Sequence, residues 1–306
     1  MPALPRRRSL LPTVLLALSS AAPAAAQQAP DTVQVRAVPV GEGVWMLTGR
    51  GGNVGVSAGE DGVFLVDDQY APMTERIRRA VVALSPRPIR FVLNTHWHGD
   101  HTGGNENLGG AGVLIVAHDN VRRRMSTEQF IERLEMRVPA SPRAALPVVT
   151  FGEDVTFWIN GDSVHAFHVD PAHTDGDALV HFRRANAIHM GDVFFNGAYP
   201  FVDTSSGGSL RGVIAACDRA LALADEGTKI IPGHGPLATR ADLQRYRDVL
   251  STSLERVTAA VAAGKTLAQL KADSPLEDFD ATYGRGFINP DAFLELVFNT
   301  AAAGRR

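Results

Sequence analysis

Cysteine is almost missing from this chain, with one residue, Cys217, among 306. No internal disulfide can form, so a folded core must supply the stability, and a chain of this size can bury one. Long apolar runs are scarce too. The run at residues 10–18 is broken by Pro12 and falls short of the roughly 20 residues that a membrane-spanning helix needs. Preceded by Arg6, Arg7 and Arg8 and followed by Ala24-Ala25-Ala26, it reads as a signal peptide cut near Ala26, which predicts a periplasmic or secreted protein without a stable membrane anchor. The expected leader carries three arginines and no acid, so the net charge of −3 becomes −6 over the remaining 280 residues. A basic face for nucleic acid is therefore not expected, and the expected partner is a small-molecule substrate. Low-complexity segments and short repeats are also missing.

What is present reads as short strands punctuated by glycine. Residues 27–33 form a polar lead, and strands are expected at 44–47, 53–56 and 63–66. A helical pattern over 72–84 places Ile77, Val81 and Leu84 on one face, and residues 90–93 form a buried-type strand. A strand at 113–116 and a charged helix over 121–134 follow, then a loop at 141–147. The second half repeats the order, with strands at 155–159, 164–168, 178–182 and 187–189 and a helix from the cap Ser209 to Leu223. A strand at 229–231 leads to a long helix over 241–263, capped by Thr239 and ended by Gly264, and a last helix starts at Asn289-Pro290. Strands followed by helix, twice over, fit an α+β protein in which two sheets lie between helices. The expected division is a signal peptide at 1–26, a main domain at 27–264, and a helical extension at 265–306 packed on that domain.

The chemistry concentrates in His96-Trp97-His98-Gly99-Asp100-His101. Alternate residues of an extended segment point the same way, so His96 and His98 can meet one ion. Asp100 and His101, past the turn at Gly99, can address a second. Imidazole with carboxylate suits zinc, and a site short of four protein ligands keeps room for water. A merely solvated histidine loop would not need the tight backbone that Gly99, Gly103 and Gly104 provide. Three further candidates, His173, Asp192 and His234, each follow or join strands, where functional residues collect.

The run from Thr95 to Gly104 resembles the first motif of the metallo-β-lactamase superfamily, Thr-His-x-His-x-Asp-His-x-Gly-Gly, and residues 40–250 resemble that family as a whole. The resemblance implies an αββα sandwich of the metallo-β-lactamase type, two mixed sheets between helices, with a dinuclear site at one edge. It implies that His96, His98 and His173 hold the first zinc. It further implies that Asp100, His101 and His234 hold the second and that Asp192 bridges them. Iron or manganese can replace zinc in such a set. A bridging Asp is the pattern of glyoxalase II, lactonases and general hydrolases of the family, whereas zinc β-lactamases usually carry Cys or a non-ligand Ser there. Export points the other way, toward β-lactamases. His98 argues against a redox role, because di-iron flavoprotein relatives have Glu there, and 280 residues leave no room for a nuclease's added domain.

The implied reaction is hydrolysis of a cyclic amide, ester or thioester, with β-lactam the leading testable substrate. Two ions sharing a water lower its pKa from 15.7 to about 7, and the bridging hydroxide attacks a carbonyl. Asp100 orients that hydroxide as the catalytic residue. A phosphodiesterase or sulfatase on the same site, or a non-catalytic periplasmic metal-binding accessory protein, are the alternatives. Asp67 or Asp68 props the metal loop or stands as a surface turn residue. Trp97, Phe194, Phe195 and Tyr199 either wall a pocket or pack the core. Arg285, in the segment 283–287, either meets a substrate carboxylate or is solvated. Ser205, Ser206 and Ser209 read as turn and cap, Cys217 as buried packing, and His118, His165, His168, His181 and His189 as structural.

Overall fold

The computed structural model describes Met1 and residues 33–304. Apart from Met1, the expected signal peptide lies outside the described residues, as does the polar lead apart from Val33. The chain begins with an antiparallel meander of β1 (Arg36–Gly41), β2 (Val44–Thr48), β3 (Val54–Gly59) and β4 (Gly62–Val66). Helix α1 (Thr74–Leu84) then returns the chain, so that β5 (Ile89–Asn94) lies parallel to β4. Two short helices, α2 (Gly99–Thr102) and α3 (Asn105–Gly110), lead into β6 (Leu114–His118), parallel to β5. Next come α4 (Asp119–Met125), a small hairpin of β7 (Gln129–Ile131) and β8 (Met136–Val138), and β9 (Val149–Phe151), which closes a seven-stranded sheet beside β6.

The second sheet has six strands and the same logic. Strands β10 (Asp154–Ile159), β11 (Asp162–His168), β12 (Ala178–Phe182) and β13 (Ala187–His189) run antiparallel in order. Helix α5 (Leu210–Leu223) crosses to β14 (Lys229–Ile231), parallel to β13, and β15 (Ala238–Thr239) pairs with β14. Helices α6 (Arg240–Ala262), α7 (Leu267–Asp273), α8 (Glu277–Tyr283) and α9 (Pro290–Ala303) follow. Among the described residues no helix is long and apolar enough to cross a membrane.

Alternation along the strands builds the layers. On β4, Val63 and Leu65 pack with Ile77 and Val81 of α1, while Phe64 and Val66 face Val164, Ala166 and Val180 of the other sheet. On β11, Phe167 turns outward to meet Val213 and Cys217 of α5 and Tyr246 of α6. The result is helix, sheet, sheet, helix, the αββα sandwich expected of this sequence. Phe293 and Val297 of α9 belong to the same apolar cluster as α5 and α6.

One expected element is different. The helix read over 121–134 stops at Met125, and the hairpin of β7 and β8 occupies the rest. Ser126 Oγ donates to Arg122 O, and Ile131 is buried while Phe130 beside it is exposed, a strand's alternation. The loop at 141–147 contains a single short 3-10 turn, Arg143–Ala145. At one edge of the sandwich, the ends of β4, β5, β13 and β14 meet the turns between β2 and β3 and between β11 and β12.

Candidate metal centre

The end of β5 carries Thr95 and His96 into the edge, and His98 precedes α2, which holds Asp100 and His101. His173 comes from the β11–β12 turn, Asp192 from just after β13 and His234 from just after β14. Their ligand-type atoms fall into three overlapping groups, each within 4.8 Å: His96, His98 and His173; His96, His101 and Asp192; Asp100, His101 and His234. Asp192 faces both sides. Its Oδ1 lies 3.0 Å from His101 Nε2 and 3.4 Å from His234 Nε2, and its Oδ2 lies 3.6 Å from His173 Nε2 and 3.9 Å from His96 Nε2. Thus all seven residues singled out in the sequence come together.

The far side of each ring shows which nitrogen is free. His98 Nε2 donates to Asp203 Oδ2 (3.0 Å), and His173 Nδ1 donates to the Phe201 carbonyl (2.7 Å). The remaining atoms, His98 Nδ1 and His173 Nε2, lie 2.8 Å apart. In neutral rings these are two lone pairs aimed at one space, an arrangement that calls for a cation. His101 Nδ1 donates to Asp67 Oδ2 (2.8 Å). Thr95 Oγ1 donates to the same oxygen and accepts from His96 Nδ1 (3.0 Å). This leaves His96 Nε2, His101 Nε2 and Asp192 Oδ1 buried with no hydrogen-bond partner; the 3.0 Å approach of the last two lacks hydrogen-bond alignment. Outer partners that fix ring tautomers in this way are the usual support of metal-binding histidines. The donor set, five imidazoles and two carboxylates, fits two zinc ions.

The electrostatics of these residues point the same way. Burial works against ionisation, yet His101 and His234 hold Asp192 well below the usual carboxylate range. Burial likewise opposes protonation of His234, but Asp192 and Asp100 raise it to about 9, and the same carboxylates with Asp67 raise His101. Burial lowers His173 to about 4 and lowers His96 as well.

Residues 47–238 match the sequence profile of the metallo-beta-lactamase superfamily. The chain belongs to that superfamily. Its members are metal-dependent hydrolases. Over 162 residues the chain is 28% identical to the 2,4-dinitroanisole O-demethylase subunit alpha of Nocardioides sp. (strain JS1661), covering 52% of this chain and 46% of that protein. Over 197 residues it is 27% identical to the hydroxyacylglutathione hydrolase of Nitrosococcus oceani, covering 63% of each. The chain therefore spans less than two thirds of the length of these curated relatives. A metallo-beta-lactamase from Pontibacter korlensis shares the fold, with a TM-score of 0.59 at 20% identity over 71% of this chain and 99% of that one.

Around this candidate centre, both carboxylates at the end of β4 brace the loop from Thr95 to Gly104. Asp67 accepts from Thr95 N (2.7 Å) as well as from Thr95 Oγ1 and His101, and Asp68 accepts from Gly104 N (2.9 Å). Asp67 sits at φ 65, a left-handed conformation that costs a non-glycine residue energy and is held here by those bonds. Trp97, Phe194 and Tyr199 are core residues, with Trp97 Nε1 donating to Ser206 Oγ behind His98. Phe195 stacks beneath His234 at 5.3 Å. The aromatic wall comes instead from Phe201, stacked on His98 at 5.9 Å, and from exposed Phe287, edge-on to Phe201 at 5.9 Å. Arg285, in the same segment, is exposed.

Ser209 caps α5, Ser205 donates to Asp203, and Cys217 is buried. His118, His165, His168, His181 and His189 join none of the three ligand groups. Asp203 is the residue of the candidate centre that sequence reasoning overlooked. With Ser206 three residues on, it looks like a turn cap, which it also is, and nothing local points it at a histidine 105 positions away.

Proposed function

We propose that the chain is an exported two-zinc hydrolase that cleaves a cyclic amide, ester or thioester. The observation that carries this reading is Asp192, whose Oδ1 faces His101 and His234 while its Oδ2 faces His96 and His173. The relative named hydroxyacylglutathione hydrolase supports hydrolysis as the reaction type. Export rests on the arginines and apolar run of the leader.

His96, His98 and His173 would hold one ion, Asp100, His101 and His234 the other, and Asp192 both. When bound, the ions would supply Lewis acidity, polarising a carbonyl oxygen and acidifying water. Asp100 is the residue placed to handle the proton. Burial opposes its ionisation, but His101 and His234 lower its pKa, and Oδ2 lies 3.2 Å from His234 Nε2. As a partly exposed carboxylate it accepts a hydrogen bond from the attacking water and orients it toward the carbonyl carbon. Phe195 and Phe201, packed on His234, His173 and His98, keep bulk water from the backs of these rings.

The test uses purified, zinc-loaded protein with nitrocefin, a lactone and a thioester, beside metal analysis. Turnover of at least one substrate is expected, with about two zinc ions per chain if all seven ligands are used. Turnover of none would reject the bond class. Fewer than one ion per chain after loading would reject the metal centre.

A further inference from the structure

Two side chains beside the centre, Arg50 and Tyr70, make no hydrogen bond or ion pair among the described residues. The turn between β2 and β3 reads Gly49-Arg50-Gly51-Gly52-Asn53, so Arg50 is its one long side chain. The turn lies directly on the metal loop, with Gly52 N donating to Asp100 O (3.1 Å). Glycine is required for that approach. A Cβ on Gly52 would sit 2.1 Å from His101 Cε1, and one on Gly51 would sit 2.7 Å from Asp100 O and 3.3 Å from Tyr70 Cδ2. The turn is also fastened. Gln69 Oε1 accepts from Arg50 N (3.2 Å), and Asn53 Nδ2 donates to the carbonyls of Pro232 and Gly235 (both 2.9 Å).

On this rigid turn the Arg50 guanidinium makes no hydrogen bond or ion pair with any described residue, and the Tyr70 hydroxyl, on a residue 39% exposed, makes none either. A guanidinium carried by a turn that touches the candidate centre, with no ion pair among the described residues, is a site for negative charge brought from outside. The other flank is the opposite in character. There Phe201 covers His98 and His173, and Phe287 extends the apolar surface into solvent at 69% exposure.

We propose that the cleft selects substrates with an anionic group, such as a carboxylate, on the Arg50 and Tyr70 flank and an apolar group on the Phe201 and Phe287 flank of the scissile bond. This deepens the proposed function and rests on it for the reaction, though not for binding. The thioester joining phenylacetate to thioglycolate is such a substrate, and its carboxamide analogue lacks only the charge.

The experiment measures both kcat/KM for these two thioesters and calorimetric binding of the matching uncleavable thioethers, using zinc-loaded full-length chain. The wild type should prefer the carboxylate in both assays. Because a carboxylate can also bind zinc directly, the decisive quantity is the change on substitution. Arg50→Ala should reduce the carboxylate-over-carboxamide ratio about tenfold in both assays, as expected for loss of one charge-assisted contact. Tyr70→Phe should reduce it less. Phe287→Ala should weaken binding of the phenylethyl thioether relative to its methyl counterpart. An unchanged ratio in Arg50→Ala would overturn the proposal. If neither thioester is cleaved while the thioether ratio still depends on Arg50, the reaction assignment fails and the binding proposal stands.

Discussion

Asp203 reaches the centre through His98, and its effect is therefore on the ring rather than on substrate. Burial would neutralise it, but hydrogen bonds with His98, Ser205 and Ser206 lower its pKa and keep it an acceptor. It fixes the proton on His98 Nε2 and leaves Nδ1 free for an ion. Replacing such an outer partner commonly costs about 10- to 100-fold in metal affinity. Asp203→Ala should show a loss in that range by chelator competition, with Asp203→Asn in between because its amide oxygen still accepts. Equal affinity in all three proteins would remove the positioning role. The run His96 to His101 was legible from sequence because four ligand-type side chains fall within six residues directly after a strand. Asp203, Phe201 and Phe287 were not, because each acquires its role from a partner distant in sequence.

The elements followed local signals wherever those signals agreed. Helix α6 has a capping box between Thr239 and Asp242 and a buried stripe through Leu243, Tyr246, Leu250, Leu254 and Val257, so its start and face could be read directly. The segment 121–134 shows the opposite case. Its charge pattern favours a helix, but α4 ends at Met125, and the rest pairs as the hairpin of β7 and β8, whose turn is held by Glu132 N donating to Ser205 Oγ. Glycines at 99, 103, 104, 109 and 110 likewise hide α2 and α3, which rely on tertiary bonds such as Asn105 Nδ2 to Asn94 Oδ1 (2.9 Å) and to Ala145 O (2.9 Å). At the far end, α9 packs into the main core through Phe293, fully buried and stacked on Tyr199 at 4.0 Å. Phe293→Ala should therefore destabilise the whole protein by about 3–5 kcal/mol in urea unfolding, in a single transition. A separate early transition confined to the C-terminal helices would show that they are not part of the cooperative unit.

Across the molecule, the two sheets meet at buried polar groups as well as apolar ones. His189, at the end of β13, donates from Nε2 to Asn53 O (3.2 Å) in the turn of the other sheet, and its Nδ1 accepts from Gly191 N (3.2 Å). Burial lowers its pKa from 6.5 to about 4. Below pH 6.5 the unfolded chain takes up a proton that the folded chain refuses, so this stabilisation is present above that pH and is lost as pH falls toward 4. For this group the loss is on the order of 3 kcal/mol. Metal-free protein should lose stability over that interval in urea titrations, and His189→Gln should start less stable at pH 7.5 but lose less on acidification. An identical pH slope in both proteins would assign the effect elsewhere. The layered order, the main helices and the cluster from His96 to His101 could be read from residue order, because alternation, capping and clustered donors are short-range patterns, whereas His173, Asp192 and His234 stood out chiefly through the resemblance to the family. The facing of Asp192 Oδ1 to His101 and His234 and of its Oδ2 to His96 and His173, the facing lone pairs of His98 and His173, and the contact of the Arg50-bearing turn with Asp100 could not be read that way. They arise when strand ends far apart in the chain are brought to one edge by packing, and no local pattern encodes those distances.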